Sequence, residues 1–390
     1  MNQAQLAAGS RVIIWLRRLR VMTQKEILQL SRDKVLLFLV LYAFSADIYN
    51  AGSGVTLQLK RAATAVHDLD HSFASRELMG RFQPPHFSII GEVANEAAGL
   101  QLLDRGTAMA VIAFPPQFQR DLLRGRTVTV QMQVDATNSV LGFLASSYAS
   151  EIVGEYSLEA GMKRAGLSPG AQLQAPVVLN DYRVWFNPNQ RDDWFMSISE
   201  LLNVITAFAI LLPAAALVRE KERGTIEQLL VSPLTAFQVL FPKIISMTAV
   251  ILAATAISVF GILQPLFEVP LRGSLMLFFA VTMLYVFCIA GLGLFIGTVT
   301  RNLSQASMLA ILTLAPMMFL SGVWTPPEAM PALVRYAMYI SPLHYYVDAS
   351  YAILLKGAGI NVIGHSLVGI VLLGGLLFGL GLWRFRSQFA

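Results

Sequence analysis

The chain has 390 residues, of which 55% are hydrophobic and only 14% charged, whereas a water-soluble domain carries about 25% charged residues. So thin a charge complement cannot cover a water-facing surface, which excludes an ordinary soluble globule and makes lipid the solvent for most of the chain. The formal net charge of +5 does not point to nucleic acid, because the basic residues cluster beside apolar runs, where they fix topology in a membrane.

In chain order, residues 1–34 are predicted as a cytoplasmic amphipathic helix lying in the membrane interface. Val12, Leu16, Leu19, Ile27 and Leu30 are spaced to face one way, with arginines between them. This basic, interrupted start does not read as a cleavable signal peptide. A span needs about 20 mostly apolar residues. The segments 35–54, 195–217, 244–266, 274–299, 303–323 and 362–383 qualify, the first interrupted by Ser45, Asp47 and Asn50. With six spans, the lysines and arginines of the N-terminal segment, of the loop 218–243, of Arg301 and of the tail 384–390 fall on one face. That face is predicted cytoplasmic, with both termini inside.

Residues 55–194 read as an extracytoplasmic (periplasmic) α/β domain between spans one and two. "AATAVHDLD" and "TVTVQMQVD" read as strands. "ASRELMGRF", "NEAAGLQLLDRG", "PPQFQRDLLRG" and "SYASEIVGEYSLEAGMKRAG" read as helices. The segment 324–361, with Trp324, Pro326, Pro327 and Pro331 at its start, is too broken to span and reads as short helices re-entering from the outer face. The fold class is therefore a polytopic α-helical membrane protein of six transmembrane helices with an inserted α/β domain.

No G-x-x-x-x-G-K-[ST], H-E-x-x-H or G-x-S-x-G motif occurs, so the chain offers neither a nucleotide-binding loop nor a catalytic site of those classes. His67 and His71 in "HDLDH" would suit zinc on a helix, but the segment ends a predicted strand, which favours a solvated turn. Asp47 and Glu200 sit near the outer ends of their spans, within reach of water; a role in a translocation path is the alternative. The pairs Gly293/Gly297 and Gly375/Gly379 have the spacing of close helix packing.

The most charged connection is "LVREKERGTIEQLLVSPLTAFQVLFPK", residues 217–243. Ile226, Leu229 and Leu230 share one helical face there, with Glu220, Glu222, Arg223 and Glu227 around it and Gly224 and Thr225 breaking and restarting the helix. A plain connector needs no apolar stripe; a short helix docking into a groove on a soluble partner does. The run "REKERGT" with "EQLL" and a later lysine resembles the coupling-helix segment of ABC-2 type transporter permeases. "AVHDLDHSFASREL", "VIAFPPQFQRDLLRG", "VDATNS", "VWFNPN" and "SGVWTPPEAMPALVRYAMYISPLHYYVDASYAILLKG" resemble further motifs of that family, in its order, across almost the whole chain. The resemblance is to the multidrug-export-like branch with a large extracytoplasmic domain.

The resemblance implies a permease subunit, itself no enzyme, of an ATP-binding cassette exporter in the bacterial inner membrane. It would move an amphipathic or drug-like substrate with energy from a separate ATPase. ATP and magnesium would then sit on that partner, with no cofactor in this chain. A second permease, either a copy or a paralogue, and a periplasmic adaptor are the further partners implied. The ATPase-coupling residues would be Glu220, Glu222, Arg223, Gly224, Thr225, Ile226, Glu227, Leu229 and Leu230. Rival readings are an exporter of lipid or glycan and, in a different class, an ion-coupled secondary transporter. A membrane receptor would need a cytoplasmic output domain, for which the inner segments are too short.

Overall fold

The computed structural model describes residues 3–54, 59–137, 139–164, 186, 187, 189, 191–224, 236–323, 325, 327 and 330–389. The chain divides into two units, Met1–Val55 with Val184–Ala390, and Thr56–Arg183. Each is built differently because its sequence has a different period.

The first unit begins with helix α1, Gln3–Arg32. Asp33 stops it and starts α2, Lys34–Tyr42, by accepting the Leu36 N–H at 3.1 Å. An N-cap carboxylate satisfies one of the N–H groups that a helix start leaves without a partner. The helix then widens into a π turn, Ala43–Asp47, and continues as α3, Ile48–Gly54. The polar residues that interrupt this run in the sequence therefore do not end it. Ser45 Oγ bonds the Leu41 carbonyl and Ser258 Oγ bonds the Phe44 carbonyl, supplying partners inside the ladder where the register changes.

The inserted unit alternates strands and helices: β1 Ala62–Asp68, α4 Phe73–Met79, β2 Phe87–Glu92, α5 Glu96–Asp104, β3 Ala110–Phe114, α6 Phe118–Leu123, β4 Gln131–Val134 and α7 Ser139–Arg164. The sheet order is β2-β1-β3-β4, with β1 parallel to β2 and β3, and β4 antiparallel to β3. One face buries Phe82, Phe87, Phe114 and Phe118; the other packs Ala65, Ala108 and Val111. Strands β2 and β3 have no counterpart in the sequence reading. Central β3 is covered on both faces, so AVIAF runs apolar without alternation. Gly106 and Gly125 end α5 and α6 at φ of 66° and 72°, the left-handed turn that glycine takes without strain.

The chain then returns to the first unit as α8, Asp192–Glu222. Helix α9, Ala236–Ser258, runs into a second π turn, Val259–Leu263. Helices α10 Leu275–Val299, α11 Leu303–Phe319, α12 Ala332–Met338, α13 Pro342–Leu354 and α14 Gly364–Phe389 follow. Five segments among the described residues are long and apolar enough to cross a membrane: Lys34–Gly54, Asp192–Glu222, Phe237–Leu263, Leu275–Val299 and Gly364–Ser387. The expected span 303–323 is the shorter apolar helix α11, so this criterion finds five spans among the described residues where six segments were expected. Helix α11 stops because Ser321 Oγ turns back onto the Met318 carbonyl and Gly322 takes a φ of 87°. Trp324 and Pro326 lie outside the described residues.

A smaller cluster gathers Leu217, Leu240, Ile244, Ala290, Leu294 and Phe385, and most helices of this unit share one large core. At its centre Tyr285 and Tyr346 stack at 4.0 Å, and each hydroxyl meets a threonine: Thr206 at 3.0 Å and Thr282 at 2.9 Å. These side chains tie α8, α10 and α13 together. Every polar group there needs a partner, because no water competes for it.

Candidate functional site

The charged turn that ends α8 is the most densely connected polar feature of the first unit. Its residues were expected to begin a loop at 218. Instead the helix runs on to Glu222, because arginine, lysine and glutamate are good helix formers and nothing interrupts them before Gly224, which turns out at φ 66°.

Four consecutive side chains leave this turn for four places. Arg219 bonds the Asp33 carboxylate at the joint between α1 and α2. Glu220 Oε1 accepts from Lys243 Nζ on α9 at 2.6 Å, and the same ammonium reaches Glu26 Oε1 on α1 at 2.7 Å. Lys221 Nζ donates to the Thr298 and Thr300 carbonyls at the end of α10, at 2.6 and 3.2 Å. Glu222 Oε1 accepts the Leu303 N–H at 3.0 Å, at the first turn of α11. A helix places successive residues about 100° apart, so four charges in a row can address neighbours all round. Two of these contacts also satisfy helix ends: lysine on exposed C-terminal carbonyls and a carboxylate on an N-terminal N–H.

The centre of the arrangement is dry. The side chains of Lys243, Glu26 and Glu220 are 3%, 6% and 7% exposed, while Lys25, 3.8 Å from both carboxylates, is half exposed. Ser246 Oγ adds a bond to the Thr23 carbonyl one helical turn from Lys243. Asp33, with the Leu36 N–H first and the Arg219 guanidinium next, has its carboxyl held below its ordinary value against the opposing effect of burial. Beside this cluster an open groove of about 740 Å³ is lined by Lys25, Arg32, Arg219 and Arg223 together with Asp33. The groove presents mostly positive charge beside the end of α8.

A profile described as ABC-2 family transporter protein matches residues 35–383, nine-tenths of the chain. The chain belongs to that family. Similar proteins include the inner membrane transport permease YhhJ of Escherichia coli (strain K12), 34% identical over 363 residues that cover 93% of this chain and 95% of that one. The probable multidrug ABC transporter permeases YbhR and YbhS of the same strain are 29% and 26% identical, covering 93% and 90% of their own lengths. The chain is thus a multi-pass membrane protein and an ABC transporter permease subunit. Members of this family are transport components, not enzymes, and membership implies an ABC ATPase as partner.

Of the expected coupling residues, Glu220, Glu222, Arg223 and Gly224 are described. Glu220 points inward to Lys243 rather than outward; Glu222 lies against α11; Arg223 and Gly224 are exposed. Thr225, Ile226, Glu227, Leu229 and Leu230 lie outside the described residues. Gly293 and Gly297 face α8, where an added Cβ would lie 2.3 Å from the Ile210 carbonyl oxygen and 3.0 Å from Leu217. A Cβ added at Gly375 or Gly379 would meet nothing within 4 Å among the described residues; Gly374 and Gly381 make the close approach to α10 instead. In the "HDLDH" turn, Asp68 accepts the N–H groups of Asp70 and His71 and the Ser75 hydroxyl. Among the described residues no group of three or more potential metal ligands occurs.

The sequence reading did not single out Glu26, Asp33, Arg219 or Lys221, and Lys243 entered it only as the lysine that follows the charged run. One signal was available for Lys243: a lysine six residues into the apolar stretch beginning at Phe237 must find an anion or leave the membrane. The identity of its partners, 217 and 23 residues away, is tertiary information.

Proposed function

We propose that this chain is the membrane-spanning subunit of an exporter driven by ATP hydrolysis on a separate ATPase, moving amphipathic, drug-like cargo across the inner membrane. In this reading α11 crosses as a sixth span, both termini are cytoplasmic, and the 56–183 unit lies outside. A second permease, copy or paralogue, completes the translocation path, and an adaptor engages the outer unit. ATP and magnesium belong to the ATPase.

The observation that carries the reading is the charged turn at 219–222. A partner that pushes on 225–235 meets a helix end whose side chains hold α1, α9, α10 and α11 at once. Displacing that end moves the bundle instead of bending a loop. Arg223 and the basic groove offer the electrostatic part of the contact, and Ile226, Leu229 and Leu230 its apolar plug. Glu220 acts from within by keeping α9 and α1 in step with α8. The multidrug description of two relatives supports the cargo class.

The test is the permease co-reconstituted in liposomes with its ATPase. Reversing both charges, Arg223→Glu with Glu227→Arg, is expected to abolish the stimulation of ATP hydrolysis that the permease confers. Stimulation that survives the double change removes this contact from the mechanism.

A further inference from the structure

One wall of the 740 Å³ groove is a single face of α1. Val21, Lys25, Leu28 and Arg32 lie along it at helical spacing, so apolar residues and cations alternate. The other side of α1 is the one that packs, through Glu26 onto Lys243 and through the Thr23 carbonyl onto Ser246. The groove side stays open: Val21 is 56% exposed and Leu28 55%. Apolar residues set among cations on an open helix face suit the boundary between headgroups and acyl chains better than water.

Arg219 and Arg223, one turn apart at the end of α8, line the groove from the other helix. Most of the charge around it cancels. Lys25 and Lys243 answer Glu26 and Glu220, and Arg219 answers Asp33. Arg32 and Arg223 are exposed and make no ion pair among the described residues, which leaves one surplus cation on each helix. Arg32 is the last residue of α1, and the first span opens two residues later at Lys34, so this arginine stands where a chain leaves the hydrocarbon layer. Three residues beyond it begins the open apolar stripe Val35, Phe38, Leu39 and Tyr42. A single ligand that met both the surplus charge and this stripe would need an anionic head and a long apolar tail.

We infer that the α1 side of this groove is a binding site for the phosphate diester of an anionic phospholipid. Arg32 supplies the balancing charge, Lys25 and the Arg219 N–H groups that Asp33 does not take supply further donors, and Val21 and Leu28 meet the glycerol and the upper chains. Basic pockets between helices at the inner surface take anionic headgroups in this way, and arginine matches phosphate geometry. A zwitterionic lipid brings its own ammonium to a site already in cationic surplus. Free phosphate or an acidic peptide meets the charge and leaves the apolar residues open. Arg223, on the other helix, remains for the ATPase, so lipid and ATPase can be held together. The inference rests on the exporter reading only for placing α1 at the cytoplasmic surface.

The experiment uses the purified full-length permease, immobilised in detergent without the ATPase, so its failure is distinct from failure of the coupling test. The protein is equilibrated with radiolabelled dioleoylphosphatidylglycerol or dioleoylphosphatidylethanolamine, whose chains are identical, and the retained lipid is counted. The wild type is expected to prefer the anionic lipid about fivefold or more. Arg32→Gln should cut that preference about threefold, and Arg32→Gln with Lys25→Gln should bring it close to one, with phosphatidylethanolamine retained within about twofold throughout. Arg32→Lys should keep most of the preference. Excess inorganic phosphate should leave the lipid in place. Absence of preference in the wild type, an unchanged ratio in the double variant, equal loss of both lipids or displacement by phosphate each overturns the inference. So does a permease–ATPase complex that has lost the preference of the free permease, which would give the whole groove to the protein partner. If the double variant does not purify as a monodisperse protein, Arg32→Gln alone decides, and an unchanged ratio refutes the site.

Discussion

Replacing Lys243 by methionine keeps the length of the side chain and deletes the charge. In the structure both Glu26 Oε1 and Glu220 Oε1 touch its ammonium, at 2.7 and 2.6 Å, so these oxygens are at most about 5.3 Å apart. With the cation gone, two carboxylates face each other across that gap. At an effective dielectric constant of about 20 their repulsion is about 3 kcal/mol, and removing one partner of a buried ion pair typically costs about 3–5 kcal/mol. Lys25, half exposed and 3.8 Å from both, trims the loss, which we place at about 2–3 kcal/mol. Fluorescence-detected size-exclusion after graded heating should show Lys243→Met melting well below the wild type. Adding Glu26→Gln and Glu220→Gln removes the repulsion and should recover most of the lost stability, since a buried ion cluster exchanged as a whole is often neutral or stabilising. The recovered triple variant should still stimulate its ATPase poorly, because α1 and α9 no longer share a charged anchor with α8. A Lys243→Met protein as stable as the wild type, or a triple variant no better than the single one, would refute the reasoning.

Asp33→Ala should destabilise by about 1 kcal/mol at neutral pH, the usual value of a helix N-cap, because it removes the bonds to Leu36 and Arg219. Asp33 has a depressed carboxyl pKa in the folded chain, so its contribution is complete above the unfolded value near 3.8 and disappears as pH falls through the lower folded value. Melting of wild type and variant should therefore converge only below about pH 4. At Gly293 an alanine would overlap the Ile210 carbonyl and should cost about 1–3 kcal/mol through overpacking. Gly375→Ala, which meets nothing among the described residues, should leave the melting of the isolated permease within about 0.5 kcal/mol.

What the sequence makes legible follows what each residue's own neighbours decide. Apolar runs bounded by charges mark the long helices, because burying a backbone in lipid admits almost nothing else. The strand ending at Asp68 and the turn after it follow from β-branched residues and an Asx turn within one short stretch. Strand β3 stayed hidden because its environment on both faces is set by helices elsewhere in the chain. The charged turn at 219–222 was visible as a docking signal, yet its inward half was not. Nothing local distinguishes Glu220, which is buried, from Glu222, which is exposed. Periodicity puts them on different faces; only the packed bundle says which face holds Lys243. The glycine pairs show the same division. Identical spacing gives Gly293 and Gly297 a helix to meet and leaves Gly375 and Gly379 open.

The length of α8 sets where Glu200 and Glu220 lie. Its 31 residues rise about 45 Å, against a hydrocarbon layer of about 30 Å, so both ends must stand in more polar surroundings. Glu200 and Glu220 are 20 residues apart on it, about 30 Å, which places one carboxylate near each edge of the apolar layer. Between them the helix is unbroken, but Pro213 lacks the N–H that would bond the Ala209 carbonyl, so the rod has a softened point about two-thirds of the way along it. A helix fastened by four side chains at one end and carrying Glu200 near the other cannot be displaced at the first without moving or bending at the second. Under the proposed coupling, a push at 219–222 is carried towards Glu200 by the backbone of a single helix. That route requires no chain of side-chain rearrangements across the core, where the Tyr285–Tyr346 stack resists them.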